Sequence, residues 1–116
     1  MSRSAFLVDW NVTRATALAD ELRHDGWEVV IETEDGSRAY QETGIAPPGV
    51  LVIWLDAKPG HGMETAQSIH HRVATADVPI VFVCTEPSVT EKALELVPSG
   101  VVTDEAALRD ILDGLG

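Results

Sequence analysis

Residues Pro47–Glu64 read PPGVLVIWLDAKPGHGME. Within them an unbroken apolar run, Val50 to Leu55, follows a proline-glycine break and ends at Asp56 in the turn-rich segment AKPGHG. A short apolar run bounded by turn signals predicts a strand buried on both faces, as in the middle of a parallel sheet. Ligands of open α/β sheets gather where such central strands end, which directs attention to Trp54, Leu55 and Asp56.

Toward the N-terminus, Ala5 to Val8 reads as a first strand that stops at Asp9, Trp10 and Asn11. Ala15, Leu18, Ala19 and Leu22 then recur at helical spacing, with Asn11 or Thr13 to cap the start and Gly26 to close the end. The β-branched segment Trp27 to Thr33 is a second strand. Asp35-Gly36 is a turn, and a short helix runs from there through about Gln41, broken by Gly44 to Gly49. Toward the C-terminus, PGHG (Pro59 to Gly62) reads as a turn, and Ala66, Ile69, His70 and Val73 form a helical stripe. Pro79 to Val83 is a fourth strand, Val89 to Val97 a helix, Gly100 to Val102 a short fifth strand, and Leu108, Ile111, Leu112 and Leu115 a last amphipathic helix. Strands alternating with helices through short connections predict right-handed crossovers and a parallel (βα)5 sheet covered on both faces, one domain over residues 1–116.

The chain carries 8 Lys plus Arg against 19 Asp plus Glu, a net charge of −11. Such a field repels phosphate backbones and anionic lipids, so neither nucleic acid nor a membrane surface is an expected partner. The single cysteine, Cys84, excludes an internal disulfide framework and any paired-cysteine zinc pattern. No signal-peptide pattern opens the chain and no apolar run is long enough to span a bilayer, so a cytoplasmic location is expected.

With the elements in this order, the chain resembles the receiver domains of two-component response regulators over nearly its whole length. The resemblance is carried by FLVDWN (Phe6 to Asn11), GWEVV (Gly26 to Val30), EDGSRAY (Glu34 to Tyr40), PPGVLVIWLD, GME (Gly62 to Glu64), VPIVFVCT (Val78 to Thr85) and SGVVT (Ser99 to Thr103). It implies a flavodoxin-like fold with strand order 2-1-3-4-5. It also implies phosphoryl transfer from a histidine kinase to an aspartate that ends the third strand. Two acids after the first strand hold Mg²⁺ there, and a Thr or Ser and a Lys after the fourth and fifth strands bind phosphoryl oxygens.

Carried over residue by residue, that machinery is largely missing. The acidic pair falls on Asp9 and Trp10. An ungapped match to the family pattern PPDLVLLDLMLPGMDGLE puts Trp54 at the phosphoacceptor; a one-residue gap puts Leu55 there, and only a two-residue shift brings Asp56 to the site. The Thr position falls on Cys84, with Thr85 one step later, and the Lys position on Asp104. The resemblance thus implies a degenerate phosphorylation pocket, with Asp9 in its family role and Asp56 able to offer a carbonyl near the old metal site. Asp9 alone is too little for Mg²⁺, which dehydrates reluctantly and needs several placed oxygens. Trp10 and Trp54 are either core aromatics or fillers of the vacated pocket, and in the second case an indole N–H is expected on the Asp9 carboxylate.

The remaining candidates have plainer readings. Asp56 reads as a loop acid capping a turn, and Cys84 as a small buried residue with no cation beside it in sequence. His70 and His71 are adjacent on a helix and cannot face one ligand together, and His61 lies in a turn, so no metal site is expected. No Ser/His/Asp or Cys/His arrangement emerges, and an enzyme is not expected. The expected function is that of a pseudo-receiver, a signalling module binding protein partners (an output domain, a kinase or a regulator), without a cofactor. A homodimer would use the face of Val89 to Val97, Val101, Val102 and Leu108 to Leu115. The alternatives are a phosphorylatable receiver using Asp56, with Mg²⁺ held by Asp9 and Asp56, and a flavodoxin-like binder of a nucleotide or flavin.

Overall fold

A computed structural model describes residues 3–115. Five strands, β1 (Ser4–Val8), β2 (Glu28–Glu32), β3 (Val50–Trp54), β4 (Ile80–Val83) and β5 (Val101–Thr103), form one parallel sheet in the order β2-β1-β3-β4-β5. Between and after them run α1 (Val12–His24), α2 (Gly36–Ile45), α3 (Pro59–His71), a 3₁₀ turn at Val73–Thr75, α4 (Pro87–Leu96) and α5 (Glu105–Leu115).

Alternation along the strands divides the core into two layers. Ala5 and Leu7 of β1 and Val50, Val52 and Trp54 of β3 pack with Ala19 and Leu22 of α1 and Leu108 and Leu112 of α5. Phe6, Val8, Leu51, Ile53 and Leu55 face the other way, onto Ala39 of α2, Ala66 and Ile69 of α3 and Ala93 of α4. β3 is buried over its whole length, as its unbroken apolar run predicts.

Several expected boundaries move. Asn11 is the cap of α1, its side chain accepting from the Arg14 N–H, and Gly26 takes the left-handed conformation (φ 91°) that lets the chain turn into β2. α2 does not stop near Gln41. It continues to Ile45 through Gly44, where a Cβ would meet the Arg72 guanidinium, its nearest atom at 2.6 Å. PGHG is not a turn but the first turn of α3: Pro59 stands at the start, where a missing N–H is harmless, and His61 is therefore helical. Gly62 is where α3 rests on the end of β3, since a Cβ there would lie 2.6 Å from Leu55 Cδ2 and 3.0 Å from Ile53 Cγ2. The 3₁₀ turn after α3 was not expected; the Thr75 hydroxyl fixes it by donating to the Ile69 carbonyl.

Candidate functional site

The C-terminal ends of β1 and β3 are neighbours, Val8 pairing with Ile53, so Asp9 and the segment Trp54 to Asp56 emerge side by side. Asp9 follows Val8 directly and its N–H donates to the Glu32 carbonyl, which continues the ladder and fixes its carboxylate at the top of the sheet. The carboxylate is fully buried. One of its oxygens accepts from the Asn11 N–H at 3.0 Å.

What neutralises Asp9 is Arg14. From the first turn of α1, Arg14 Nε donates to Asp9 Oδ2 at 2.8 Å and Nη2 to Oδ1 at 2.6 Å. The opposite edge of the same guanidinium serves Asp56, Nη1 to Oδ2 at 2.8 Å and Nη2 to Oδ1 at 3.1 Å. Glu105 Oε1, from the start of α5, lies 3.7 Å from Nε. Two bidentate carboxylate pairs use the planar fork of donors that arginine alone possesses. Beneath them lies the Trp54 ring, its centroid 5.5 Å from the guanidinium carbon. The hydrogen bonds that Arg14 donates to Asp9 and Asp56 raise its pKa, and in return the Arg14 hydrogen bond holds the Asp56 carboxyl below the usual carboxylate range.

This arrangement decides where the expected pocket residues stand. Trp54 shares a face with Asp9 by strand alternation, but it is a core residue, 1% exposed between α1 and α5. Trp10 points to the other layer, where it packs half-buried against the cluster that holds Phe6, Val8 and Ile53. Neither indole bonds to Asp9: the N–H groups of Trp10, Trp27 and Trp54 are buried without an acceptor among the described residues. The expected indole–carboxylate contact is thus replaced by the arginine pair, which matches both charge and shape better than a single neutral donor. Leu55 is buried against α2 and α3, its N–H donating to the Val83 carbonyl.

Asp56 does accept from the Ala57 N–H at 3.0 Å, as a turn-capping acid would, yet its main partner is Arg14. Cys84 is half-buried and Thr85 exposed at the end of β4. Asp104 Oδ1 accepts the Ala107 N–H and so caps α5, a role for which the charge reversal at this position is suited. Leu108 and Leu112 are turned into the core and unavailable for a dimer face; Val101 and Leu115 are the exposed apolar residues there.

Asp9 and Asp56 are the oxygens a divalent cation would need, and they do not fit one as arranged, because the guanidinium lies between them. Mg²⁺ about 4 Å from Arg14 would be repelled by roughly 8 kcal/mol at an effective dielectric near 20. Among the described residues no group of three or more His, Cys, Asp or Glu side chains is placed to hold a metal.

Arg14 is the residue that reading along the chain misses. Its signal is a local conflict: a cation in the first turn of a helix opposes the helix dipole, and no acid stands in that turn of α1 to offset it. One compensating carboxylate, Asp9, stands five residues before Arg14, but the other, Asp56, is 42 residues away on the loop after β3.

No protein-family model matches the chain, and no curated protein matches it in sequence. Solved structures do match in fold. The chemotaxis protein CheY4 of Vibrio cholerae superposes with a TM-score of 0.85 at 16% identity, covering 100% of both chains. The receiver domain of a signal transduction histidine kinase from Syntrophus aciditrophicus gives 0.81 at 13% identity over 98% of this chain and 89% of that one. A response regulator from Burkholderia pseudomallei, solved with a phosphorylated aspartic acid and a calcium ion, gives 0.81 at 16% identity over 99% of this chain and 67% of its own. The fold is that of response-regulator receiver domains, with the flavodoxin-like strand order and five helices.

Proposed function

We propose that this chain is a receiver-like signalling module that acts by binding protein partners and does not accept a phosphoryl group. The observation that carries the reading is the Arg14 guanidinium, bound in bidentate fashion to Asp9 and to Asp56. Receiver chemistry needs a metal on the first acid and a free carboxylate nucleophile beside it. Here a fixed monovalent cation belonging to the chain itself takes the position between the acids. The residue ending β3 is an indole, which offers no carboxylate to phosphorylate. The module is a binder rather than a catalyst, its partners are the proteins of a signalling pathway, such as a kinase, an output domain or a regulator, and it needs no cofactor. Its net charge of −11 favours partners with basic faces. A cytoplasmic place of action is part of the same proposal. Among the described residues no helix is long and apolar enough to cross a membrane.

A second reading is favoured by one observation: the Asp56 side chain is 56% exposed, so a phosphodonor can reach it if Arg14 lets go. The two readings part in one experiment. The protein is incubated with a small phosphodonor and Mg²⁺, treated with borohydride, and mapped by mass spectrometry. The expected result is an unmodified chain with and without Mg²⁺. A borohydride-trapped product at Asp56, absent in Asp56→Asn, would replace the first reading by the second.

A further inference from the structure

A cavity of about 850 Å³ lies away from the Arg14 cluster, in the groove between α2 and α3. That is within the size range, roughly 300–1,000 Å³, of small-molecule sites. One end is walled by Trp10, Lys58 and His61, the other by Tyr40 and Arg72. We propose that this groove binds a small aromatic carboxylate of single negative charge, its ring against Trp10 and its carboxylate on Lys58. The proposal goes beyond the signalling reading and does not depend on whether Asp56 is phosphorylated.

The cations argue for an anion. Arg3, Arg14, Arg23, Arg38, Lys92 and Arg109 each have a carboxylate oxygen within 4.0 Å. Lys58 and Arg72 have none among the described residues, in a chain of net charge −11, and both line this cavity. Arg72 is nevertheless committed, donating to Thr75, to Thr43 and to the Tyr40 carbonyl while lying over the Tyr40 ring. Lys58 makes no such side-chain bond among the described residues. Its ammonium lies 5.2 Å from the Trp10 ring centroid, and His61 meets the same ring edge-on at 6.4 Å. An incoming ring can take the place of the ammonium on Trp10, and the flexible Lys58 stem then lets the displaced charge meet the ligand's carboxylate.

The acids set the limit on charge. Glu34, Asp35 and Glu64 also line the groove. Glu34 is 3.6 Å from Arg38 and Asp35 caps α2 through the Ser37 N–H, which leaves Glu64 without a bonded partner among the described residues. A polyanion is repelled by this set. A monoanion bearing an amino or hydroxyl donor is not, since Glu64 and the hydroxyls of Thr65 and Ser68 offer acceptors along the wall.

The test is a titration of the whole chain, followed by amide shifts in α2 and α3, with 2-aminobenzoate and 2-naphthoate as probes. Inorganic phosphate, adenosine monophosphate and phenethylamine are run beside them. Saturable shifts centred on Ser37, His61 and Glu64 are expected with the aromatic carboxylates, weakened roughly tenfold or more by Lys58→Glu. Lys58 is the exposed N-cap residue of α3 and makes no side-chain cap bond, so the substitution is expected to leave the fold intact, which the amide spectrum of the variant checks. Phosphate, the nucleotide and the amine are expected to bind more weakly. The proposal is overturned by no saturation with either carboxylate up to about 10 mM, by equal binding of phenethylamine or phosphate, or by full retention of binding in Lys58→Glu.

Discussion

Replacing Arg14 by methionine keeps most of the aliphatic stem over Trp54 and removes the guanidinium. Asp9, fully buried, is then left with the Asn11 N–H as its bonded donor. Breaking a buried pair by deleting one partner costs about 3–5 kcal/mol, because the orphaned charge keeps its desolvation penalty. The Asp56 pair is half exposed and contributes less than about 1 kcal/mol, and the contact with the Trp54 face about 0.5–1 kcal/mol. A loss of about 4 kcal/mol is a large part of the roughly 5–15 kcal/mol that holds a domain together. It should lower the melting temperature by roughly 10–20 °C. Urea unfolding at neutral pH measures it, and the double variant Asp9→Asn/Arg14→Met should recover at least about 2 kcal/mol, since no buried charge is then left unpaired. With Arg14 gone, Mg²⁺ should also stabilise Arg14→Met while leaving the parent unchanged, because Asp9 and Asp56 are released to it. Additive single effects below about 1 kcal/mol, or equal Mg²⁺ responses in the two proteins, would refute the view that Arg14 stands in for a metal.

Three further outcomes are expected. Gly62→Ala forces a methyl into Leu55 and Ile53 and should destabilise by about 1–3 kcal/mol in the same unfolding assay. Gly26→Ala meets no neighbour within 4 Å but must hold a φ of 91°, so a loss of about 1–2 kcal/mol from backbone strain alone is expected, measured by thermal unfolding. Asp56 has a folded pKa held below its unfolded value of about 3.9, so its contribution is present above that pH and is lost as pH falls through the folded value. Asp56→Asn should therefore cost a few tenths of a kcal/mol above about pH 5 and nothing in strong acid, a difference that paired urea curves resolve.

The sequence by itself determined the layers. The unbroken run Val50 to Leu55, bounded by turn residues, reads as a doubly covered strand, and the helical stripes put Ala19, Leu22, Ala66, Ile69, Leu108 and Leu112 on the sheet. The stripes overreach at Val73, which lies beyond α3 and is 95% exposed, and at Leu115, 42% exposed, while Asn11 rather than Thr13 caps α1 and Gly26 follows its end. These features follow from periodicity and from local backbone chemistry, which a chain carries within a few residues of itself. That Trp10 and, in the ungapped match, Trp54 stand where the resemblance to receivers expects acids is an expectation from the sequence, since each is a single position beside a recognisable strand.

Only the tertiary structure decided what partners Asp9 and Asp56. Asp9 and Asp56 are 47 positions apart, and Arg14 joins them because β1 and β3 are neighbours in a sheet whose order is not sequential. Trp54 and Trp10, each just at or beyond a strand end, were separated onto opposite layers, the first a core residue between α1 and α5 and the second a wall of the α2–α3 groove. Side-chain pairing across loops depends on which strand ends come together and on the direction each side chain leaves them. That geometry belongs to the packed sheet and is absent from any one segment.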